Sequence, residues 1–183
     1  MRSSSRLTAG DDGILITKHP LALQSPPTSI AMRPVRATDT DRLRATCWPN
    51  RTFLTIYNLV TRTIRNMVDG RGLGLVVVGE DDVPLAYGQY TLWPTCAEIS
   101  DLVVAEPLRG QGVGTALIQT LVKRARGRGA EAFEIGVAMD NPRAAALYRR
   151  LGFEDSHTVM MDLERGKVKI LFLRLEMPGR KQN

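Results

Sequence analysis

Residues 102–114 read LVVAEPLRGQGVG: three apolar strand formers, then a turn with glycine at positions 110, 112 and 114. Directly afterwards Leu117, Ile118, Leu121, Val122 and Ala125 recur at helical spacing, against a polar face of Gln119, Lys123, Arg124 and Arg126. Gly127 and Gly129 can end that helix. The stretch is therefore a strand, a glycine-rich turn and an amphipathic helix in succession. Glycines at such a turn let backbone N–H groups converge, and the helix N-terminus adds partial positive charge, which suits an anion and phosphates best. Glycines also serve tight turns that bind nothing, so the turn alone leaves both readings standing.

Spacing removes two familiar phosphate binders. A Walker loop needs Gly-Lys followed by Ser or Thr, and here Gly114 is followed directly by Thr115, which argues against ATP and GTP. A dinucleotide fingerprint needs glycines at relative positions one, three and six after the first strand of a βαβ unit. Counting from Gly110 puts Thr115 at the last position, and several antiparallel strands come first, which argues against NAD.

Upstream of the turn, residues 30–37 alternate as a strand, and Thr38 or Asp39 can cap a helix over 41–47 that Pro49 interrupts. A second helix fits 53–68 and stops at Gly70. Residues 73–78 and 85–93 form a hairpin around a polar turn with Pro84, and Pro94 and Thr95 turn the chain into a strand over 96–104. Downstream, Phe133, Ile135 and Val137 alternate as a strand. Asn141 and Pro142 supply an N-cap and a proline at the first helical position for a helix to Leu151, closed by Gly152. Residues 158–163 and 168–175 read as a terminal hairpin. Residues 1–29 mix Ser, Thr, Pro, Gly and charges without a period and are expected to be a loose extension, with one domain over 30–177 and a short tail over 178–183.

A chain of 183 residues fits one domain, and its composition is globular, with no apolar run near the ~18 residues of a membrane span. A soluble cytoplasmic protein is expected. Cys47 and Cys96 sit in apolar surroundings away from any metal-ligand spacing, so they read as free thiols, and no metal is expected. The net charge of +6 comes largely from Arg124, Arg126, Arg128, Arg149, Arg150, Arg180 and Lys181. No nucleic-acid-binding signature accompanies it; a solvated basic surface or attraction for a small polyanion accounts for it.

Leu102, Val103 and Val104 followed by Arg109, Gly112 and Gly114 resemble the acetyl-CoA motif of the GNAT superfamily of N-acetyltransferases, an apolar strand and then Arg/Gln-x-x-Gly-x-Gly/Ala. Asn141, Pro142, Ala145, Leu147, Tyr148, Gly152 and Phe153 are similar to the family's second signature, an Asn before a helix that carries a Tyr and ends in Gly-Phe. The order of elements over 30–177 agrees as well. The resemblance implies an α/β (α+β) fold with a mixed central sheet, helices on both faces and a splayed strand pair. It implies transfer of acetyl from acetyl-CoA to a small-molecule or protein amine, directly in a ternary complex.

Residue roles carry over from that resemblance. Pantetheine would pair with the backbone of Leu102, Val103 and Val104, which also read as plain core strand, and the pyrophosphate would meet the N–H groups of Arg109, Gly110, Gln111, Gly112, Val113 and Gly114. Asn141 would contact the cofactor or serve only as the N-cap. Tyr148 occupies the position of the hydroxyl that assists the leaving thiolate, or is a core tyrosine. The backbone N–H of Val103 or Val104 would meet the developing oxyanion. An alkylamine has a pKa of about 10.4, so a carboxylate helps it shed a proton, directly or through water. Glu98 is the candidate, because strict alternation puts it on the same side as Leu102 and Val104 with Asp101 opposite, and Ala97, Glu98 and Ile99 resemble the base-bearing strand of histone acetyltransferases. An exposed carboxylate or an amine anchor is the other reading of Glu98.

The acceptor would be chosen by the helices over 41–69, the turn over 90–95 and the hairpin over 156–169, with Trp48, Arg51, Tyr57 and Trp93 as pocket or packing groups. A homodimer stays open, and neither nucleic acid nor membrane is an expected partner. The rival reading is a catalytically silent acetyl-CoA-binding or interaction module, which an amine panel would separate from an enzyme.

Overall fold

The computed structural model describes residues 29–163 and 166–177. All but the last residue of the expected N-terminal extension, the tip of the terminal hairpin and the 178–183 tail lie outside the described residues. In chain order the elements are β1 (Ala31–Pro34), α1 (Thr40–Cys47), α2 (Phe53–Val68), β2 (Gly72–Val78), β3 (Pro84–Leu92), β4 (Ala97–Val104), α3 (Val113–Arg126), β5 (Ala132–Ala138), α4 (Pro142–Arg150), β6 (Glu154–Leu163) and β7 (Gly166–Glu176). The seven strands lie in one sheet, ordered β1-β2-β3-β4-β5-β7-β6, and every pair is antiparallel except β4 with β5.

Helix α2 keeps the bounds its pattern predicts, and its first turn is held by the Thr52 hydroxyl, which accepts from the Thr55 N–H at 3.1 Å. The first strand is shorter than its alternation suggests. It ends at Pro34, after which the Arg36 N–H donates to the Asp39 carboxylate at 2.7 Å and Arg33 donates two bonds of 2.8 Å to the same group. Asp39 therefore caps a single 3-10 turn, Ala37–Asp39, and makes no side-chain cap for α1. The 3% exposure of Asp39 makes that bidentate arginine necessary, since an unpaired buried carboxylate is costly.

The core has two halves. Leu43 of α1 and Ile56 and Val60 of α2 are buried over β2 and β3; on the other face Leu117, Ile118 and Leu121 of α3 are buried over β3 and β4. Each such side chain contributes about 1.5–3 kcal/mol on removal from water.

Two irregularities shape β4. Its parallel pairing with β5 spans only Ala97 with Phe133, Glu98 with Glu134 and Ile99 with Ile135; beyond that β4 bonds only to β3, and β5 only to β7. The strands splay there, as expected. The second irregularity is a bulge: Gln89 pairs with Ser100 and Tyr87 with Val103, so Gly88 of β3 faces both Asp101 and Leu102, and Asp101 adopts φ 54°. The extra residue reverses the alternation. Gln89 lies on the α1–α2 face beside Thr63 and reaches both Ser100 and Asp101, whereas Leu102 lies beside Gly88, Leu117 and Leu121 on the α3 face. The expectation that Glu98 shares a side with Leu102 and Val104, with Asp101 opposite, is therefore corrected. Glu98, Ser100 and Asp101 share the α1–α2 face.

Candidate active site

A cleft of about 610 Å³ opens at the splay, lined by Leu102, Val103 and Val104 of β4, by Leu108, Arg109, Gly110 and Gly112 of the turn, by Val113, Gly114 and Thr115 at the start of α3, and by Asn141, Arg143, Ala144, Leu147 and Arg150 around α4. The turn owes its shape to Gly110 and Gly112, at φ 80° and 81°, values that a side chain disfavours. Among the described residues none of the backbone N–H groups of 110–115 finds an acceptor. They line the start of α3, whose partial positive charge adds to theirs. Arg109 ties the turn back to the strand, its Nε donating to the Val104 carbonyl at 3.0 Å.

The Ala105 N–H donates to the Leu85 carbonyl across the β3–β4 pair at 2.8 Å. By alternation the N–H of Val104, rather than that of Val103, points away from β3 into the gap.

Most of the expected cofactor residues meet in this cleft. Gln111 does not line it: its side-chain amide donates to the Pro107 carbonyl at 2.8 Å, which leaves only its backbone N–H to the turn. Asn141 fills both of its expected positions, accepting from the Ala144 N–H at 3.1 Å as N-cap while lining the cleft. Tyr148 is only 7% exposed, packs on Phe153 with ring centroids 6.5 Å apart, and is not among the lining residues. Burial pushes its phenol up to about 12, so the hydroxyl keeps its proton, and it makes no hydrogen bond among the described residues.

Glu98 is on the other face. Its Oε2 accepts from the Trp93 indole at 2.9 Å, and it pairs in register with Glu134, which Arg174 holds at 2.9 Å. Of the other groups named from sequence, Trp48 packs edge-on against Tyr87 with centroids 5.6 Å apart, and Tyr57 stacks on Phe53.

The arginines of α4 are the site residues that sequence reading missed as a group. Arg143, Leu147 and Arg150 lie at i, i+4 and i+7 and so share one helix face, while the buried Ala145 and Tyr148 point elsewhere. That spacing was the available signal. With Arg109 they give the cleft three guanidinium groups and no carboxylate among its lining residues, a field suited to a polyanion. Among the described residues no group of three or more His, Cys, Asp or Glu could hold a metal, and no helix is long and apolar enough to cross a membrane.

Comparison with known proteins points the same way. The model of the acetyltransferase (GNAT) family matches residues 38–153. A stretch of 63 residues, 34% of this chain, is 41% identical to an uncharacterized N-acetyltransferase of Methanocaldococcus jannaschii and covers 28% of that protein. A stretch of 87 residues, 47% of this chain, is 33% identical to the thialysine N-epsilon-acetyltransferase of Mus musculus and covers 49% of it. The chain thus spans half or less of the curated relatives it matches. In fold it superposes on the yncA protein of Salmonella typhimurium, solved with its cofactor acetyl-CoA, with a TM-score of 0.66 at 20% identity over 85% of this chain and 98% of that one. From the family match over 38–153, the chain belongs to the acetyltransferase (GNAT) family.

Proposed function

We propose that this chain transfers an acetyl group from acetyl-CoA to an amine, by direct attack in a ternary complex and without a covalent enzyme intermediate. The observation that carries the reading is the splay of β4 from β5 beside six N–H groups that find no acceptor among the described residues and three arginines. The residues present fit the cofactor: the free edge of β4 can pair with the amides of a pantetheine arm, and the turn with Arg109, Arg143 and Arg150 can hold phosphates. When bound, acetyl-CoA supplies the acetyl group as an activated thioester.

Within this reading the Val104 N–H donates to the acetyl carbonyl oxygen as negative charge develops there. Asn141 orients the arm through whatever capacity its N-cap bond leaves over. Tyr148, whose phenol is pushed up to about 12 by burial, donates toward the departing sulfur from the buried side of α4. Glu98 contributes negative charge to the acceptor face, its Oε2 held by the Trp93 indole.

Calorimetric titration with acetyl-CoA, using NAD and ATP as controls, tests the cofactor. Thiol release with 2-phenylethylamine, spermidine, L-lysine and an alanyl peptide tests the transfer. Selective binding with thiol release from at least one amine is the expected result; absence of binding to folded protein overturns the reading. The burial of Tyr148 outside the cleft favours a second reading, a silent acetyl-CoA-binding module, for which binding without release on the whole panel is the signature.

A further inference from the structure

The bulge in β4 does more than invert a pattern. Asp101 sits at its apex with φ 54°, in the left-handed region that Asp tolerates better than most side chains but that still costs energy. A buried network fixes its carboxylate. Gln89 is 3% exposed, and its Oε1 accepts from the hydroxyls of Thr63 and Tyr87. The Asp101 carboxylate settles which end of the amide faces outward, because it only accepts, so Nε2 points to it and donates to Oδ2 at 2.6 Å. The reversed amide would set one oxygen against another.

The second ligand of Asp101 is weak. Arg62 stands 3.8 Å from the same Oδ2 with its side chain 65% exposed, a surface contact of little energetic weight. Oδ1 has no partner among the described residues, and the Asp101 side chain remains 35% exposed. Asp101 is also two residues past Ile99, the last residue of β4 that pairs with β5, and next to Leu102, the first that lines the cofactor cleft. Glu98 lies within the paired segment, about 10 Å further back at roughly 3.3 Å per residue, with Trp93 on its Oε2.

We propose that Asp101 is the carboxylate that meets the acceptor amine, a catalytic residue held in place by Gln89, and that the acceptor arrives as a cation. This rests on the acetyl-transfer reading above. Asp101 Oδ1 takes one proton from the bound ammonium and frees the lone pair that forms the C–N bond to the acetyl carbon. The C–S bond breaks with its electron pair on sulfur, which gains the second proton shed by nitrogen. Asp101 then returns its proton to water on the face where Glu98 lies. The groups that face Asp101 are Arg62 from α2 and Tyr87 and Gln89 from β3, with Ser100 beside it on β4; Glu98 and Glu134 lie further back, the latter held by Arg174.

The test compares D101N and E98Q in the full chain, using the panel amine that the wild type turns over fastest. Asn keeps the shape of Asp and its tolerance of positive φ, so the bulge persists; melting temperature and acetyl-CoA affinity, both expected unchanged, verify this. D101N is expected to lower kcat/KM by about 10²-fold or more and to flatten the acid limb of its pH profile, while E98Q costs less and keeps that limb. D101N turning over at the wild-type rate with the wild-type profile, or E98Q taking the larger loss, overturns the assignment. If the wild type releases no thiol with any amine, the acetyl-transfer reading itself has failed, which is a separate result.

Discussion

Replacing Gly112 with alanine isolates what the turn costs. Gly112 has φ 81° and ψ −4°, and a Cβ built there would meet nothing within 4 Å. No clash arises, so the penalty is conformational: about 1–2 kcal/mol for a side chain in the left-handed region. For a domain of this size that corresponds to a fall in melting temperature of about 2–8 °C. The chain can relieve the strain only by turning the peptide units at the head of α3, which misdirects N–H groups aimed at the cleft. Losing one charge-assisted hydrogen bond of about 1.5–3 kcal/mol weakens acetyl-CoA binding about 10-fold or more. Thermal unfolding followed by circular dichroism and calorimetric titration read the two effects. Gly112→Asn is the control, because Asn tolerates positive φ and should lose less on both counts. Equal damage from Ala and Asn would mean that bulk rather than backbone is at fault, and an unchanged G112A protein would refute the reasoning altogether.

Substituting Tyr148 by Phe should lower kcat and leave acetyl-CoA affinity as it was; unchanged turnover with chemistry rate-limiting would remove the hydroxyl from the reaction. Arg143→Ala and Arg150→Ala should each weaken acetyl-CoA binding and flatten its dependence on salt, and titrations at low and high ionic strength that show neither effect would take these arginines out of the cofactor site. Stability should fall in alkali. Burial pushes the Cys47 thiol from 9.0 up to about 11 and the Tyr148 phenol from 10.0 up to about 12, and raises Tyr87 as well. The folded chain therefore retains protons that the unfolded chain releases. This contribution is intact below about pH 9 and is lost progressively between about pH 9 and 12. A melting temperature that stays level from pH 8 to 11 would contradict those buried environments.

The order of elements was legible because most carry their own local punctuation: Gly70 after α2, Asn141 and Pro142 before α4, the glycines before α3. That the turn and the strand before it would line one cleft was legible for the same reason, since they are contiguous in sequence. What could not be read there depends on pairing between distant residues. The bulge exists only in the register of β4 against β3, so alternation set Glu98 with Leu102 and apart from Asp101, where the register sets it with Asp101 and apart from Leu102. Gln111 looked equivalent to its neighbours until its side chain turned back to Pro107. Arg143 and Arg150 become cleft residues only because α4 is laid beside the head of α3, a tertiary fact.

The three residue pairs that join β4 to β5 also make a mechanical seam. On one side stand β1 to β4, on the other β5, β7 and β6, and among the described residues no backbone bond links the two leaves across most of the seam's length. A molecule wedged along it adds bridges exactly where the sheet lacks them and so acts as a rivet. Amide hydrogens on both leaves near the seam would then exchange with solvent more slowly in the loaded protein than in the empty one, and the leaves would loosen each time the product departs.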